Sequence, residues 1–286
     1  ACGGLKMPEL ALVGEPPDGG RGGGLPDGSK LLVVDLGGGA VELSLVALEG
    51  GEERAAPLAQ LLRFQSRNLT KSRQTLRQAR VLGKAGIALG GRDLDRWILD
   101  ALQPQGLPPE GAGHTALLDA AERLKCRLSS TDINDEQELT ELASSPELTA
   151  PTTLRMNRNR FTQLLEERGL FQLLEELLNQ TLRAAEVHGC RRSDLNAVVM
   201  VGGGAHLPQL RSWLTSFMSP VPLRTPPPME AVACGALSLT PGVRILDLLQ
   251  RGISLRCWDR RSNRHHWHPL FVAGQPWPSS QPFELV

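Results

Sequence analysis

The chain shows no excess of charge, no paired cysteines and no long apolar run, and each absence removes a class of function. Lys+Arg and Asp+Glu are equal at 31 each, so the chain as a whole has no electrostatic footprint for nucleic acid or acidic lipid. No run approaches the ~20 apolar residues of a membrane span, and the N-terminus does not read as a signal peptide. The five cysteines (Cys2, Cys126, Cys190, Cys234, Cys257) are scattered, odd in number and never form CxxC. A reduced, cytoplasmic setting fits that usage. No glycine loop ends in Gly-Lys-Ser/Thr, so this is not a P-loop, and none fits GxGxxG with a suitably placed acid, so a dinucleotide fold is not expected. The 286 residues suffice for one large or two medium domains. Position 1 is Ala and the chain stops on an apolar strand-like run, as expected of a piece of something longer.

What is present centres on 31–46, LLVVDLGGGAVELSLV. Four apolar residues run into Asp35, three glycines follow (Gly37, Gly38, Gly39), and Val41–Leu45 alternates apolar and polar at the strand period. This predicts a buried strand, a tight glycine turn and a half-buried return strand. Glycines let backbone N–H groups approach a bound group closely, and Asp35 sits where a carboxylate orients water or a metal's water shell. By itself such a hairpin is equally a structural turn. A second copy of the logic follows: the apolar run Ala197–Val201 ends in Gly202-Gly203-Gly204, and a helix is predicted over Pro208–Met218. The glycines are then expected at a helix N-terminus, which favours an anion or a purine edge.

Residues 1–30 are rich in Gly and Pro and read as a tail or linker. Residues 54–82 read as a surface insertion with some helix. Asp93 is expected to cap a helix over Leu94–Leu102. His114–Ser130 predicts a strong helix whose apolar stripe is Leu117, Ala121, Leu124 and Leu128. Beside it Glu122, Lys125 and Ser129 share a polar face, which spacing alone leaves open as a solvated Glu–Lys face. Residues 131–152 are expected to be mostly loop, with a short strand at Thr153–Met156. Arg160–His188 predicts a long amphipathic helix with a break near Gly169 and an end at Gly189. A proline loop (Pro220–Pro228) precedes a small-residue helix over Glu230–Leu239. Beyond Pro241, Ile245–Leu249 is short and apolar, and β-like runs follow at Ile253–Cys257, Trp267–Val272 and Pro282–Val286. His265, His266 and His268 have no acid or cysteine nearby at ligand spacing, so no direct metal site is assigned.

The order DLGGG, GGRDLD, AERLKCRLSS, VVMVGGGAHLPQL, EAVACGA closely resembles the second half of the nucleotide-binding domain of the seventy-kilodalton heat-shock chaperone (DnaK-like) family. The resemblance covers 31–48, 88–130 and 153–286. It implies an α/β fold: lobe II of an actin-like ATPase, a mixed sheet with helices, over 31–242. A hydrophobic interdomain linker over 243–250 and the start of a β-sandwich peptide-binding domain over 251–286 would follow. It further implies ATP/ADP with Mg2+ held through the phosphates, and ATP binding coupled to unfolded or apolar peptide segments. A J-domain co-chaperone and a nucleotide-exchange factor are the implied partners, with no nucleic acid and no membrane. Carried over by position, Gly37, Gly38, Gly39 and Ala40 would lie against the phosphates. Asp35 would place metal-bound water, and Glu42 would stand near the metal and potassium sites. Glu122, Lys125 and Ser129 would face the ribose and adenine, and Gly203, Gly204 and His206 would close the other side of the base.

The sequence departs from the family pattern. Ala40 replaces a threonine, Cys126 and His206 replace arginines, Gly204 a serine and Met229 an aspartate. Each lost contact is expected to weaken adenine or phosphate binding by on the order of 1 kcal/mol. Lobe I has no counterpart upstream of Leu31, and phosphoryl chemistry needs a clamp from both sides, so poor hydrolysis is expected of this chain alone. Two other readings stand beside the chaperone: a degenerate, non-hydrolysing binding or scaffolding homologue, and a small-molecule kinase of the actin-like superfamily.

Overall fold

A computed structural model describes residues 28–49, 77–102, 111–227, 230–231 and 243–277. Its centre is a seven-stranded mixed sheet of order β11-β8-β3-β2-β1-β6-β7. β1 (Lys30–Leu36) and β2 (Val41–Glu49) form the expected antiparallel hairpin. Val41, Leu43 and Leu45 are buried while Glu42 is exposed, so the period-two alternation is realised as a one-sided strand. β6 (Ala197–Val201) lies parallel to β1 on its other side, and all five of its residues are buried. An unbroken apolar run is what a central parallel strand covered on both faces requires. β7 (Leu223–Arg224) continues the sheet inside the expected proline loop.

Helices cover the sheet. α1 (Gly91–Leu102) buries Leu94, Ile98 and Leu99, and α2 (Ala112–Leu128) buries the predicted stripe Leu117, Ala121, Leu124 and Leu128. α3 (Arg158–Glu167) starts with the Asn157 side chain accepting from the Arg160 N–H at 2.8 Å. Gly169, at φ +73°, separates α3 from α4 (Leu170–Glu186), so the expected long helix is two helices joined at the one residue that takes the left-handed turn without strain. α4 lies against β3 (Arg77–Ile87) at Gly83, where an added Cβ would overlap the Thr181 carbonyl. α5 is Pro208–Met218, with Pro at its start. One contiguous core joins these faces, from Leu32 and Leu43 through Ile98, Leu124 and Phe161 to Leu178 and Leu214.

Three expectations are corrected. Residues 77–82 of the presumed insertion are strand, the first half of β3, because they pair with β2; 54–76 lie outside the described residues. The stretch read as loop contains β4 (Leu139–Ala143), which pairs with β5 (Thr152–Met156) to bury Leu139, Ala143, Leu154 and Met156. Its polar alternate residues masked it. Asp93 is not an N-cap: it lies inside α1 and its carboxylate reaches back to accept the Gly90 N–H at 2.8 Å. The apolar run expected as a linker over 243–250 contains β8 (Val243–Leu248), which adds to the main sheet parallel to β3 and takes β11 (Pro276–Trp277) on its other side. The β-like tail gives a separate ribbon of β9 (Ile253–Asp259) and β10 (Arg264–Phe271). Of the small-residue helix expected over Glu230–Leu239 only Glu230 and Ala231 are described, Ala231 buried against Val199 and Val201; 232–239, Met229, residues 1–27 and Pro282–Val286 lie outside the described residues.

Candidate functional site

β1 and β6 are adjacent and parallel, with Asp35 level with Val201. Their carboxyl ends therefore open on the same rim of the sheet, the place where open α/β sheets bind ligands. Both glycine turns leave from that rim. In the first, the Gly37 N–H donates to the Ala40 carbonyl at 2.9 Å, closing a tight turn. Gly38 and Gly39 are exposed, and a Cβ on either would meet nothing within 4 Å. Among the described residues, none comes within 4 Å of a Cβ placed on either glycine. In the second turn Gly202 takes φ +79°, and a Cβ there would overlap the Asp35 carboxylate and the Leu36 carbonyl. Gly204 accommodates the Leu36 side chain in the same way, whereas Gly203 faces open space. The glycines do not begin α5 as expected: Gly203–His206 form a single 3-10 turn and Leu207 intervenes. His206 is exposed.

The first turn rests on α1. A Cβ at Gly90 would meet the Gly39 nitrogen at 2.5 Å, the Gly91 N–H donates to the Gly37 carbonyl and the Arg92 N–H to the Gly38 carbonyl, each at 2.9 Å. The free N–H groups of the helix start thus hold the loop's Gly37 and Gly38 carbonyls. Behind this joint stands Lys125 of α2. Its ammonium lies 2.7 Å from Asp95 Oδ1 and donates to the Gly91 carbonyl at 2.9 Å. Lys125 and Asp95 side chains are only 13% and 6% exposed, so this is a buried ion pair. Lys125, expected to face a ribose, is therefore engaged in fastening α2 to α1. Ser129 is likewise turned inward, its hydroxyl donating to the Lys125 carbonyl at 2.8 Å. Glu122 and Cys126 are exposed on the same helix.

Electrostatics single out Asp35. It is the direct cross-strand partner of Glu42, which places the two carboxylates side by side on one face. Burial, and then the Glu42 charge, push the Asp35 carboxyl above the ordinary carboxylate value. Two acids that repel each other at the mouth of an open glycine turn are a donor set for a hard cation with its waters, and oxygen ligands of this kind suit Mg2+. Burial also raises Asp95, against the opposing pull of Lys125, and raises the Cys126 thiol. Cys126 is thus a neutral thiol at the position of a missing cation.

Sequence reasoning missed the supports of the site. Asp95 was legible only as a polar position among Leu94, Ile98 and Leu99 on the buried side of α1. Leu36, whose side chain reaches under Gly204, gave no sign of its role. In the β9–β10 ribbon strand pairing sets Cys257 directly opposite His266; among the described residues no group of three His, Cys, Asp or Glu could hold a metal.

The family model described as Hsp70 protein matches residues 83–245. The Chaperone protein dnaK3 of Synechococcus elongatus is 27% identical over 217 residues, 73% of this chain and 25% of that protein. The Chaperone protein DnaK of Stenotrophomonas maltophilia is 28% identical over 240 residues, 79% of this chain and 33% of that protein. The mitochondrial Heat shock 70 kDa protein of Dictyostelium discoideum is 28% identical over 213 residues, 71% of this chain and 27% of that protein. The chain spans between a quarter and a third of the length of these relatives. No described helix is long and apolar enough to cross a membrane. The matched stretch runs from the strand beside the glycine hairpin, through both α1 and the second glycine turn, into β8, and since it takes in more than half of the chain, the chain belongs to the Hsp70 family.

Proposed function

We propose that this chain is the lobe II portion of an Hsp70-type chaperone that binds ATP and ADP with Mg2+ and couples that binding to capture of unfolded or apolar peptide segments. The observation that carries it is the pair of glycine turns on one rim, with Asp35 and Glu42 beside the first. Gly38, Gly39 and the Gly37–Ala40 turn would take the phosphates by backbone N–H groups. Asp35 and Glu42 would hold the cation's waters, and Glu122, Gly203, Gly204 and His206 would border the nucleoside. A bound cation supplies charge neutralisation for the phosphates; the protein's part is to orient them and to keep the turn rigid through α1.

Support for the nucleoside side is weaker than for the phosphate side. Ala40 offers no hydroxyl, Cys126 no cation, and Lys125 is taken by Asp95. The described residues form one wall of a clamp, and phosphoryl transfer needs groups on both sides of the transferring phosphate. Binding without turnover is accordingly expected of the chain by itself. The relatives named above are chaperones, and nothing in them favours the small-molecule-kinase reading. A J-domain co-chaperone and an exchange factor follow as partners from the same proposal.

Calorimetric titration with ADP and Mg2+ tests it. Saturable binding that falls at least tenfold in Gly39→Val, with an unchanged melting temperature, is the expected result, because that side chain enters the open space without touching the protein. Equal affinity in wild type and Gly39→Val removes the turn from any nucleotide site and the reading with it.

A further inference from the structure

The zero net charge of the whole chain conceals a local excess. Residues 251–271, which contain the β9–β10 ribbon, carry five arginines (Arg251, Arg256, Arg260, Arg261, Arg264) against one aspartate, Asp259, and three of the six histidines. None of these arginines joins an ion pair among the described residues. Asp259 is occupied by the turn, accepting from the Arg261 N–H at 2.9 Å and the Ser262 hydroxyl at 2.7 Å. The ribbon is a cationic finger on a neutral protein.

Its register sorts the side chains. Arg256 faces Trp267 and Trp258 faces His265 across the strands, so these four share one face. Arg256 lies over the Trp267 ring at 5.9 Å, and the Trp258 and His265 rings meet edge to face at 5.0 Å. Each indole has one cross-strand partner and remains largely in water: Trp258 is 53% and Trp267 61% exposed. Indole is a costly group to leave in solvent, and a face of this composition wants a partner that is both anionic and flat.

We infer that this face of the β9–β10 ribbon binds single-stranded nucleic acid. Trp258 and Trp267 stand as diagonal neighbours on adjacent strands, about 7–8 Å apart by strand geometry, a spacing that suits two successive unstacked bases. Every base presents a π-face to such a platform, so stacking is sequence-tolerant, and the surrounding arginines follow the phosphates. An acidic peptide satisfies the charge but leaves both indoles bare. An apolar peptide covers the indoles but leaves the positive charge of the ribbon's five arginines unbalanced. Of these partners, single-stranded nucleic acid alone meets both demands. The inference is independent of the nucleotide reading above: it uses no residue of the glycine turns.

Fluorescence anisotropy of a labelled oligo(dT) twelve-mer, titrated with the whole chain at two salt concentrations, tests it. Expected are saturable binding that weakens as salt rises, a loss of roughly tenfold or more in each of Trp258→Ala and Trp267→Ala, and a shallower salt slope in Arg256→Ala. Both tryptophans are exposed, so circular dichroism and melting temperature should match the wild type, and Gly39→Val should bind the oligonucleotide normally. Binding untouched by the double tryptophan variant, absence of binding at 100-fold excess of protein over label, equal displacement of the oligonucleotide by polyglutamate or by an apolar heptapeptide, or preference for phosphatidylserine vesicles each overturns the assignment.

Discussion

Glycine positions around the site divide by what a side chain would meet. Gly38, Gly39 and Gly203 face open space, while Gly90, Gly202 and Gly204 are pressed against the opposing turn. Substitution should therefore separate binding from folding. Gly39→Val leaves stability near wild type and abolishes phosphate access. Gly204→Ser drives a side chain into Leu36 and should cost about 1–3 kcal/mol, read as a fall in the urea midpoint. Gly204 stands where the family pattern has serine, and the Leu36 side chain beneath it explains why the smaller residue is accommodated here. Asp35 makes the opposite trade. Its proton is held more tightly in the folded than in the unfolded chain. Its favourable contribution is full below the ordinary carboxylate value and is lost as pH rises through the raised folded value. Asp35→Asn should thus raise the melting temperature at neutral pH and flatten its decline above the ordinary carboxylate range, while weakening binding of Mg2+-nucleotide. A melting curve that drops at pH 7 in this variant refutes the repulsion argument. Lys125→Met strands Asp95 without its cation at 6% exposure, and a loss of about 3–5 kcal/mol in chemical denaturation is expected. That penalty makes Glu122→Ala, on the exposed side of α2, the better probe of nucleoside contact.

At the scale of elements, the site depends on how α1 and α4 are seated. α1 is joined to the first glycine turn by the Gly91 and Arg92 N–H groups and to α2 by Lys125. α4 approaches β3 so closely that Gly83 has no room for a Cβ. Gly83→Val should lift α4 from the sheet, at about 3 kcal/mol or more, and should also expose the buried Thr181 and Ala185. Amide exchange would show this as lost protection in α4 greater than in β6. Helix positions were legible because the 3.6-residue stripe of α2 and the paired stripes of α3 and α4 fall on single faces. β4 and β3 were not: the first is five residues with polar neighbours, and the second begins inside a polar, basic stretch. A strand of that kind is chosen by its partner across the sheet, not by its own pattern.

For the molecule as a whole, β8 matters most. The short apolar run expected as an interdomain linker is a strand of the main sheet, with Lys84 and Asp247 paired at 3.1 Å and β11 on its far side. The pair is partly exposed, 27% and 35%, so its contribution to global stability should be small, within about 1 kcal/mol. Lys84→Ala should accordingly leave the melting temperature unchanged but raise amide exchange across 243–248. Unchanged exchange would show that backbone pairing alone retains the strand. The placement of β8 links the edge of the sheet to the basic ribbon that follows it, since β9 begins five residues after β8 ends.

The amino-acid order alone determined the local pieces: the DLGGG hairpin, the buried AVVMV strand, the stripe of α2, the break at Gly169 and the family they add up to. Each of these is a short-range pattern, set by side-chain period, by glycine's backbone freedom or by the continuity of an apolar run, and such patterns survive without knowledge of the partner. Tertiary structure alone decided which of those pieces meet. It put Lys125 on Asp95 in place of open solvent, seated Gly90 under Gly39, paired the apolar run of β8 with β3, and set Cys257 opposite His266. These pairings join residues far apart in sequence, and their energies come from burial and charge that exist only once the sheet and helices have closed on one another.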